Sequence, residues 1–459
     1  MAVIPKNYSE VDPLLQQYVR ESVLPEYDAY DKAHSRTHIL SVITQSMELY
    51  GQLSAKGECG PDGCPLNPDM IYAIAAYHDI GVCEGREFHH LVSGRMLESD
   101  PTLRQWFSEE QIHLMREAVE DHRSSNKSWP RSIYGRIVSE ADKVIDFDTV
   151  FSRAILYARA HYPGLTEDEI FQKSYGHLLD KYGDNGYMRL QFPDSPNARR
   201  LAELREKLRD PELMRREFSL FQIHPLEPFV PEGAKVLLLG SFPPPHARWS
   251  MEFFYPNFQN DMWRIMGLLF YGDPGHFVVP GQRRFDYERV TAFCRNEGIA
   301  MYDAAYMVKR LRGNASDNFL KIMEPTDIQA LLAKMPSCHA VVSTGGKSAE
   351  QIASILDVSV PTVGGSVSFS LSMPGASSRS MTFFRMPSSS RAYPLPLAKK
   401  AAAYAGGIRH LTLPAGAGFP VRRLQIKVHH EVNSLTGKCR RITAFRIGRI
   451  NRLVSNGSA

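Results

Sequence analysis

The chain changes its hydrophobic rhythm once. Up to about residue 224, apolar positions recur at three- and four-residue intervals. They form four sets: Ile39, Ile43, Met47 and Tyr50; Ile71, Ile74, Ala75 and His78; Ile112, Met115, Val119 and His122; and Val138, Asp142 and Ile145. An α-helix turns once in 3.6 residues, so each set falls on one helical face. The pattern predicts helices throughout this half and no convincing strand before about residue 234. The proline-rich stretch HPLEPFVPEGA (224–234) ends it. Beyond, short apolar runs appear at KVLLLG (235–240), IAMYD (299–303), AVVST (340–344) and MTFFRM (381–386). Helical stretches near 260–270, 286–297, 327–335, 347–356 and 396–404 separate or follow them. Strands alternating with helices predict a parallel sheet covered on both faces, with ligand groups collecting at the carboxyl ends of the strands. The expected fold is therefore multidomain. An all-α bundle spans 1–224, and a three-layer α/β domain with a short parallel sheet spans 225–405. A tail over 406–459 is either a nucleic-acid arm or a poorly packed extension.

A length of 459 residues agrees with two or three domains. With 43% hydrophobic and 23% charged residues, the chain can bury sizeable cores. No apolar run approaches the ~18 residues of a membrane span. The opening MAVIPKNYSEVDP lacks a charged lead and apolar stretch, so no secretory signal is expected. Six scattered cysteines suit reduced thiols, a cytoplasmic location is expected, and no membrane partner. Cys59 and Cys64 lack two further partners at zinc spacing. The net charge of +4 conceals an uneven distribution: −9 over 1–224, +4 over 225–405 and +9 over 406–459. The acidic first part is a poor nucleic-acid groove, while the basic remainder could meet phosphate backbones. Nothing in the sequence sets the oligomeric state.

Polar residues interrupt the helical faces of the first half at telling places. His38 precedes an apolar run, the doublet His78–Asp79 ends DMIYAIAAYHD, His90 lies in HHLVSGRML, His122 in AVEDHR and Asp142 in SEADKVID. Each sits on or beside an apolar face, where an unpaired polar group is costly. Backbone partners could satisfy any one of these histidines alone. Imidazoles and carboxylates converging in a helical core instead suit a divalent ion such as Mn, Mg, Fe, Co or Zn. The order H…HD…D resembles the HD-domain metal-dependent phosphohydrolases over roughly residues 20–215. The resemblance implies that His38, His78, Asp79 and Asp142 bind one metal, and that His90 and His122 match a subgroup holding a second. His89 is the alternative to His90. Such an ion would lower the pKa of bound water for attack on phosphorus. A small phosphorylated substrate or nucleotide is expected, with Asp79 and Lys143 as catalytic candidates. Lys143 would steady the phosphate or simply be a solvated helix lysine.

In the second half, the first strand runs into GSFPPPHARWSMEFFYPNFQNDMWRIMG (240–267) and the last into MPSSSRAYPLPLAKKAAAY (386–404). Core packing explains Trp263 and Phe270 well, and Tyr255 and Asn260 less well. Gly240, Ser241, Pro243, Tyr255, Asn260 and Trp263, followed later by Pro387, Ser388, Ser389 and Ser390, resemble two motifs of the uracil-DNA glycosylase superfamily. The nearest branch is the mismatch-specific and hypoxanthine-DNA one. Met262 stands where that branch usually has Phe, and Ser241–Phe242 where some branches place an acid or amide. The resemblance implies a metal-free mechanism without cofactor, acting on DNA. A deaminated or mismatched base is flipped out and stacked on Tyr255, with Asn260 binding the base or orienting water. Backbone N–H groups after Gly240 would stabilise the departing base. The loop from Ser388 to Arg391 would enter the groove, with Arg391 on phosphate. STGGKS (343–348) ends like a phosphate-binding loop, but Val341 stands where that loop needs Gly. The alternative is an HD phosphohydrolase carrying a non-catalytic nucleic-acid or nucleotide-binding module.

Overall fold

The computed structural model describes residues 8–30, 34–123, 128–313, 316–373 and 376–409. The chain divides between Gln222 and Ile223 into two compact units.

The first unit is helical: α1 (Pro13–Tyr18), α2 (Arg36–Ala55), α3 (Pro68–Tyr77), α4 (His89–Ser99), α5 (Glu109–Glu120), α6 (Ile133–Ala141), α7 (Phe147–His161), α8 (Glu167–Tyr182), α9 (Pro196–Leu208) and α10 (Pro211–Leu220). Polar caps start most of them. The side chains of Asp12, Asn67, Ser108, Ser132, Asp146, Thr166, Ser195 and Asp210 each accept a backbone N–H that the helix cannot satisfy itself. Helix α3 is the centre. Every residue from Met70 to Tyr77 is buried, and α2, α4, α5 and α6 pack around it. A helix that is apolar on all sides has nowhere else to go.

Two expectations for this half change. The Val138–Ile145 periodicity is not one helix: α6 stops at Ala141, Asp142 is its C-cap, and Ile145 is buried in the turn before Asp146 caps α7. A short strand, β1 (Phe221–Ile223), follows α10. Three residues are too few to show alternation.

The second unit contains β2 (Val236–Gly240), α11 (Met262–Tyr271), α12 (Tyr287–Glu297), β3 (Ile299–Asp303), β4 (Ala305–Arg310), β5 (Leu320–Pro325), α13 (Ile328–Ala333), β6 (Ala340–Ser343), α14 (Gly346–Leu356), β7 (Ser366–Met373), β8 (Ala376–Arg385) and α15 (Leu397–Tyr404). The main sheet has the order β3-β2-β6-β8-β7. Its first four strands are parallel, and β7 joins β8 as an antiparallel edge. β4, which follows β3 after a single residue, pairs antiparallel with β5 outside the main sheet. The sheet is thus mixed rather than purely parallel. All five residues of β2 are buried, as a strand covered on both faces requires. The register sets Gly240 beside Asp303 and Ser343 beside Arg385, so β2, β3, β6 and β8 end along one edge. Trp263, Phe277, Phe293, Met301, Val341 and Phe383 fill the core. STGGKS forms the turn from β6 into α14. Of the tail expected over 406–459, residues 406–409 belong to a π-helical turn that follows α15 and brings Ile408 into the core, and the remainder lies outside the described residues.

Phe383 is fully buried and pairs with Val341 on one side and Val367 on the other. Phe383→Ala is expected to cost about 3–5 kcal/mol, read by urea unfolding followed by tryptophan fluorescence. A change under about 1 kcal/mol would place Phe383 outside the sheet core.

Candidate metal centre and strand-end loops

In the first unit, five helix termini deliver six side chains to one place. His38 lies in the first turn of α2, His78 caps the end of α3 with Asp79 next to it, and His89 opens α4. His122 follows the C-cap of α5, and Asp142 caps α6. The Asp79 carboxylate sits at the middle. Its Oδ2 is 3.5 Å from His38 Nε2 and 3.3 Å from His78 Nε2. Its Oδ1 is 3.3 Å from His89 Nε2 and 3.4 Å from His122 Nε2. Asp142 Oδ1 stands 3.2 Å from His38 Nε2 and 3.8 Å from His78 Nε2. Two groups of potential ligands result, His38–His78–Asp79 and Asp79–His89–His122, each with its ligand atoms within 4.8 Å of one another.

The backbone determines which ring nitrogen faces inward. His78 Nδ1 meets the carbonyl of Ala75 at 2.8 Å, His89 Nδ1 that of Arg86 at 2.8 Å, and His122 Nδ1 that of Val119 at 2.6 Å. A carbonyl only accepts, so Nδ1 carries the proton and Nε2 directs a lone pair into the cluster. Two features then fit a cation. His78 Nε2 is buried without a hydrogen-bond partner. His89 Nε2 and His122 Nε2 lie 3.2 Å apart, where two lone pairs repel unless a positive charge stands between them. Burial disfavours the charged form of His38, but hydrogen bonds to Asp142 and Asp79 outweigh it and push its pKa up to about 9. Burial likewise opposes ionisation of Asp79, yet His78, His122 and His38 hold it well below the usual carboxylate range.

His90 is not among these ligands; His89 stands in its place. Both belong to the first turn of α4, but His90 points into the interior. There its Nδ1 has no partner, and burial lowers its pKa to about 4. Helical phase separates adjacent residues by about 100°, so only one of the pair can reach Asp79. Lys143, just past the end of α6, turns its ammonium back onto that helix, donating to the Ser139 carbonyl at 2.9 Å and hydroxyl at 3.3 Å, and burial lowers its pKa. A cleft of about 590 Å³ opens along α2, from Thr37 beside His38 to Glu48, with Tyr8, Tyr72, Ile145 and Arg200 among its walls.

In the second unit, the two motif loops lie side by side at the strand-end edge. Asn260 and Ser390 form an isolated bridge, and Asp261 N donates to the Ser389 carbonyl at 2.9 Å. Asp261 ties them further: Arg391 Nε is 2.9 Å from its Oδ1, and the buried Lys400 Nζ is 3.1 Å from its Oδ2 and 2.7 Å from the Ser390 carbonyl. Arg391 is therefore engaged in an ion pair, with half its side chain exposed. The serines shape their own loop, with Ser388 Oγ accepting from Ser390 N and Ser390 Oγ from Ala392 N. Ser389 is buried. Asn260 Oδ1 accepts from Met262 N at 2.9 Å, so its oxygen helps to hold the start of α11.

Tyr255 adopts the left-handed backbone region, φ 51°, and its hydroxyl meets Thr344 Oγ1 at 2.8 Å. Its ring contacts Trp263 edge-on, so one side is already packed. Burial and the charge of Asp303 raise its pKa well above the ordinary value. Ser241 Oγ donates to Asp317 Oδ2 at 2.7 Å. A Cβ on Gly240 would collide with Asp303 Oδ1, so only glycine lets that carboxylate close over the strand end. Asp303, Asp317 and His224 were not among the sequence candidates. Asp303 carried a visible signal, as the last residue of the strand IAMYD, where ligand groups are expected. The other two arrive from loops whose positions no periodicity reveals.

Residues 36–145 match the HD domain family, a family of metal-dependent hydrolases. No curated protein matches the chain. Among solved structures, the solution structure of a protein from Methanosarcina acetivorans, provisionally named a uracil DNA glycosylase, aligns at 18% identity. It covers 40% of this chain and 96% of that one, with a TM-score of 0.29.

His38 keeps its proton below about pH 9, and a metal must displace it. Apparent affinity for Mn²⁺ or Co²⁺ should therefore rise by about tenfold per pH unit between pH 7 and 9 and level off above. Calorimetric titration across that range measures it, and a flat profile would remove His38 from the ligand set.

Proposed function

We propose that the N-terminal unit, whose residues 36–145 are an HD domain, is a divalent-metal-dependent phosphohydrolase acting on a phosphomonoester or nucleotide. The observation that supports this most is Asp79, whose two oxygens each face a different pair of imidazoles. That donor set fits one ion on His38, His78, Asp79 and Asp142, and a second on Asp79, His89 and His122. An ion held by these residues would supply Lewis-acid activation of water and offset phosphoryl charge. The chain's own residues do the rest. The carbonyls of Ala75, Arg86 and Val119 keep three imidazoles in the ligating tautomer. His78, His122 and His38 favour the charged form of Asp79, which holds its pKa well below the usual carboxylate range. The cleft along α2 offers room for the organic part of a substrate, with Arg200 as a cation and Glu48 as an acceptor on its walls.

Asp79→Ala should remove both metals together and reduce phosphate release. Groups that merely orient a metal ligand cost about 10–100-fold when lost, so the shared ligand should cost more than about 100-fold. The assay is metal content plus phosphate release from a panel of phosphomonoesters and nucleotides with Mn²⁺, Mg²⁺ or Co²⁺. A variant that keeps its metal and its rate would sink the proposal. His89→Ala should lose one metal and His90→Ala none, which checks the choice between neighbours.

A second activity is proposed for the C-terminal unit, excision of a deaminated or mismatched base from DNA. Its support is the meeting of the two motif loops through Asn260, Asp261, Ser389 and Ser390 at the carboxyl ends of parallel strands. Tyr255 and Asn260 would handle the flipped base, and the Ser388–Arg391 loop the backbone. Duplexes carrying uracil, hypoxanthine or a G·T mismatch test it. Binding without base release would instead make this unit a non-catalytic binding module.

A further inference from the structure

We infer that Asp303 is the carboxylate that takes a proton from the attacking water during base excision, with His224 holding it in position. The inference rests on the base-excision reading of the C-terminal unit. Hydrolysis of an N-glycosidic bond needs a water placed at C1′ and a group able to accept its proton. Asn260 cannot be that group, because a side-chain amide is not a base and its oxygen already accepts from Met262 N. Asp303 is the last residue of β3, in register with Gly240 at the end of β2. Its side chain is nine-tenths buried. Oδ2 is 3.0 Å from His224 Nε2, whose other ring nitrogen is held by the backbone of Leu226. Oδ1 accepts from no protein donor among the described residues and lies against Gly240. A carboxylate oxygen left without a protein donor is open to a water or a ligand.

Burial and the charge of Asp303 raise the pKa of Asp317 above the ordinary carboxyl value. Tyr255 Oη closes the same corner, 3.4 Å from where a Gly240 Cβ would stand. In the step itself, the water oxygen bonds to C1′ as its proton passes to Asp303 Oδ1. The C1′–N bond breaks, and its electron pair leaves with the base. The products are an abasic sugar and the free base, which recovers the proton through solvent. His224 touches no substrate in this scheme and is a positioning residue.

The test uses the full chain and duplexes bearing a single uracil, hypoxanthine or G·T mismatch, with abasic sites read as alkali-induced strand breaks. Asp303→Ala should lower single-turnover base release by about 100-fold or more. Sodium formate, a small carboxylate able to enter the space left, should restore part of that loss, which a purely structural defect would not permit. His224→Gln should give a smaller loss that formate leaves unchanged, because Asp303 is still present. A variant at 303 releasing base within about threefold of wild type, or one whose loss formate does not restore, overturns the inference while base excision stands. A wild-type chain inert on every duplex overturns base excision, and this inference with it.

Discussion

The Asp79 carboxylate is the constraint on which the first unit depends. Its two oxygens face opposite pairs of imidazoles, so moving it would dissolve both ligand groups at once. Its position follows from α3, which is buried on every side and ends where His78 and Asp79 emerge. Three of the five helix ends involved are carboxyl termini, those of α3, α5 and α6, which bring His78, His122 and Asp142 with them. Helix carboxyl termini carry partial negative charge, and their convergence favours a cation independently of the side chains. Packing and electrostatics therefore act in the same direction. The apolar surface of α3 supplies the stability that lets so many polar groups sit close together.

The strand-end edge of the second unit is built on another principle. Its polar groups are held by paired charges rather than aimed at a common centre. Asp261 and Lys400 are both buried, and each would be costly alone. Joined through the Ser390 carbonyl as well, they fasten the loop after β2 to the loop after β8. Such a pair adds little net stability compared with apolar residues of the same size. Its effect is geometric: two loops far apart in sequence share one fixed edge. Gly240 serves the same edge by omission, since any side chain there would exclude Asp303.

Much of the chemistry and most of the elements were legible in the sequence. Helical periodicity set the faces that carry His78, His122 and the core of α2, and short apolar runs marked β2, β3, β6 and β8 within a residue or two, apart from the longer start of β8. The order of His and Asp along the chain indicated a metal, because few other needs place so many ligands beside apolar faces. The antiparallel strands β4, β5 and β7 were not visible. β5 and β7 are partly exposed, and β4, buried except at Tyr306, follows β3 after one residue and ends on Lys309 and Arg310, so none of the three shows the apolar run of the central strands.

Tertiary structure alone decided the finer assignments. Sequence could not separate His89 from His90, because adjacent residues are equally close to every ligand in the chain and differ only in direction around α4. It could not foresee that Lys143 would fold back on Ser139, or that Arg391 would pair with Asp261, since long side chains choose partners in space. Nor could it bring His224 and Asp317 to the end of β2, because loops carry no period from which a position can be read. What the sequence by itself determined was the residue types and their phase within each element. Which atoms meet was settled by packing between elements, where burial makes every unpaired polar atom costly and leaves few arrangements that satisfy them all.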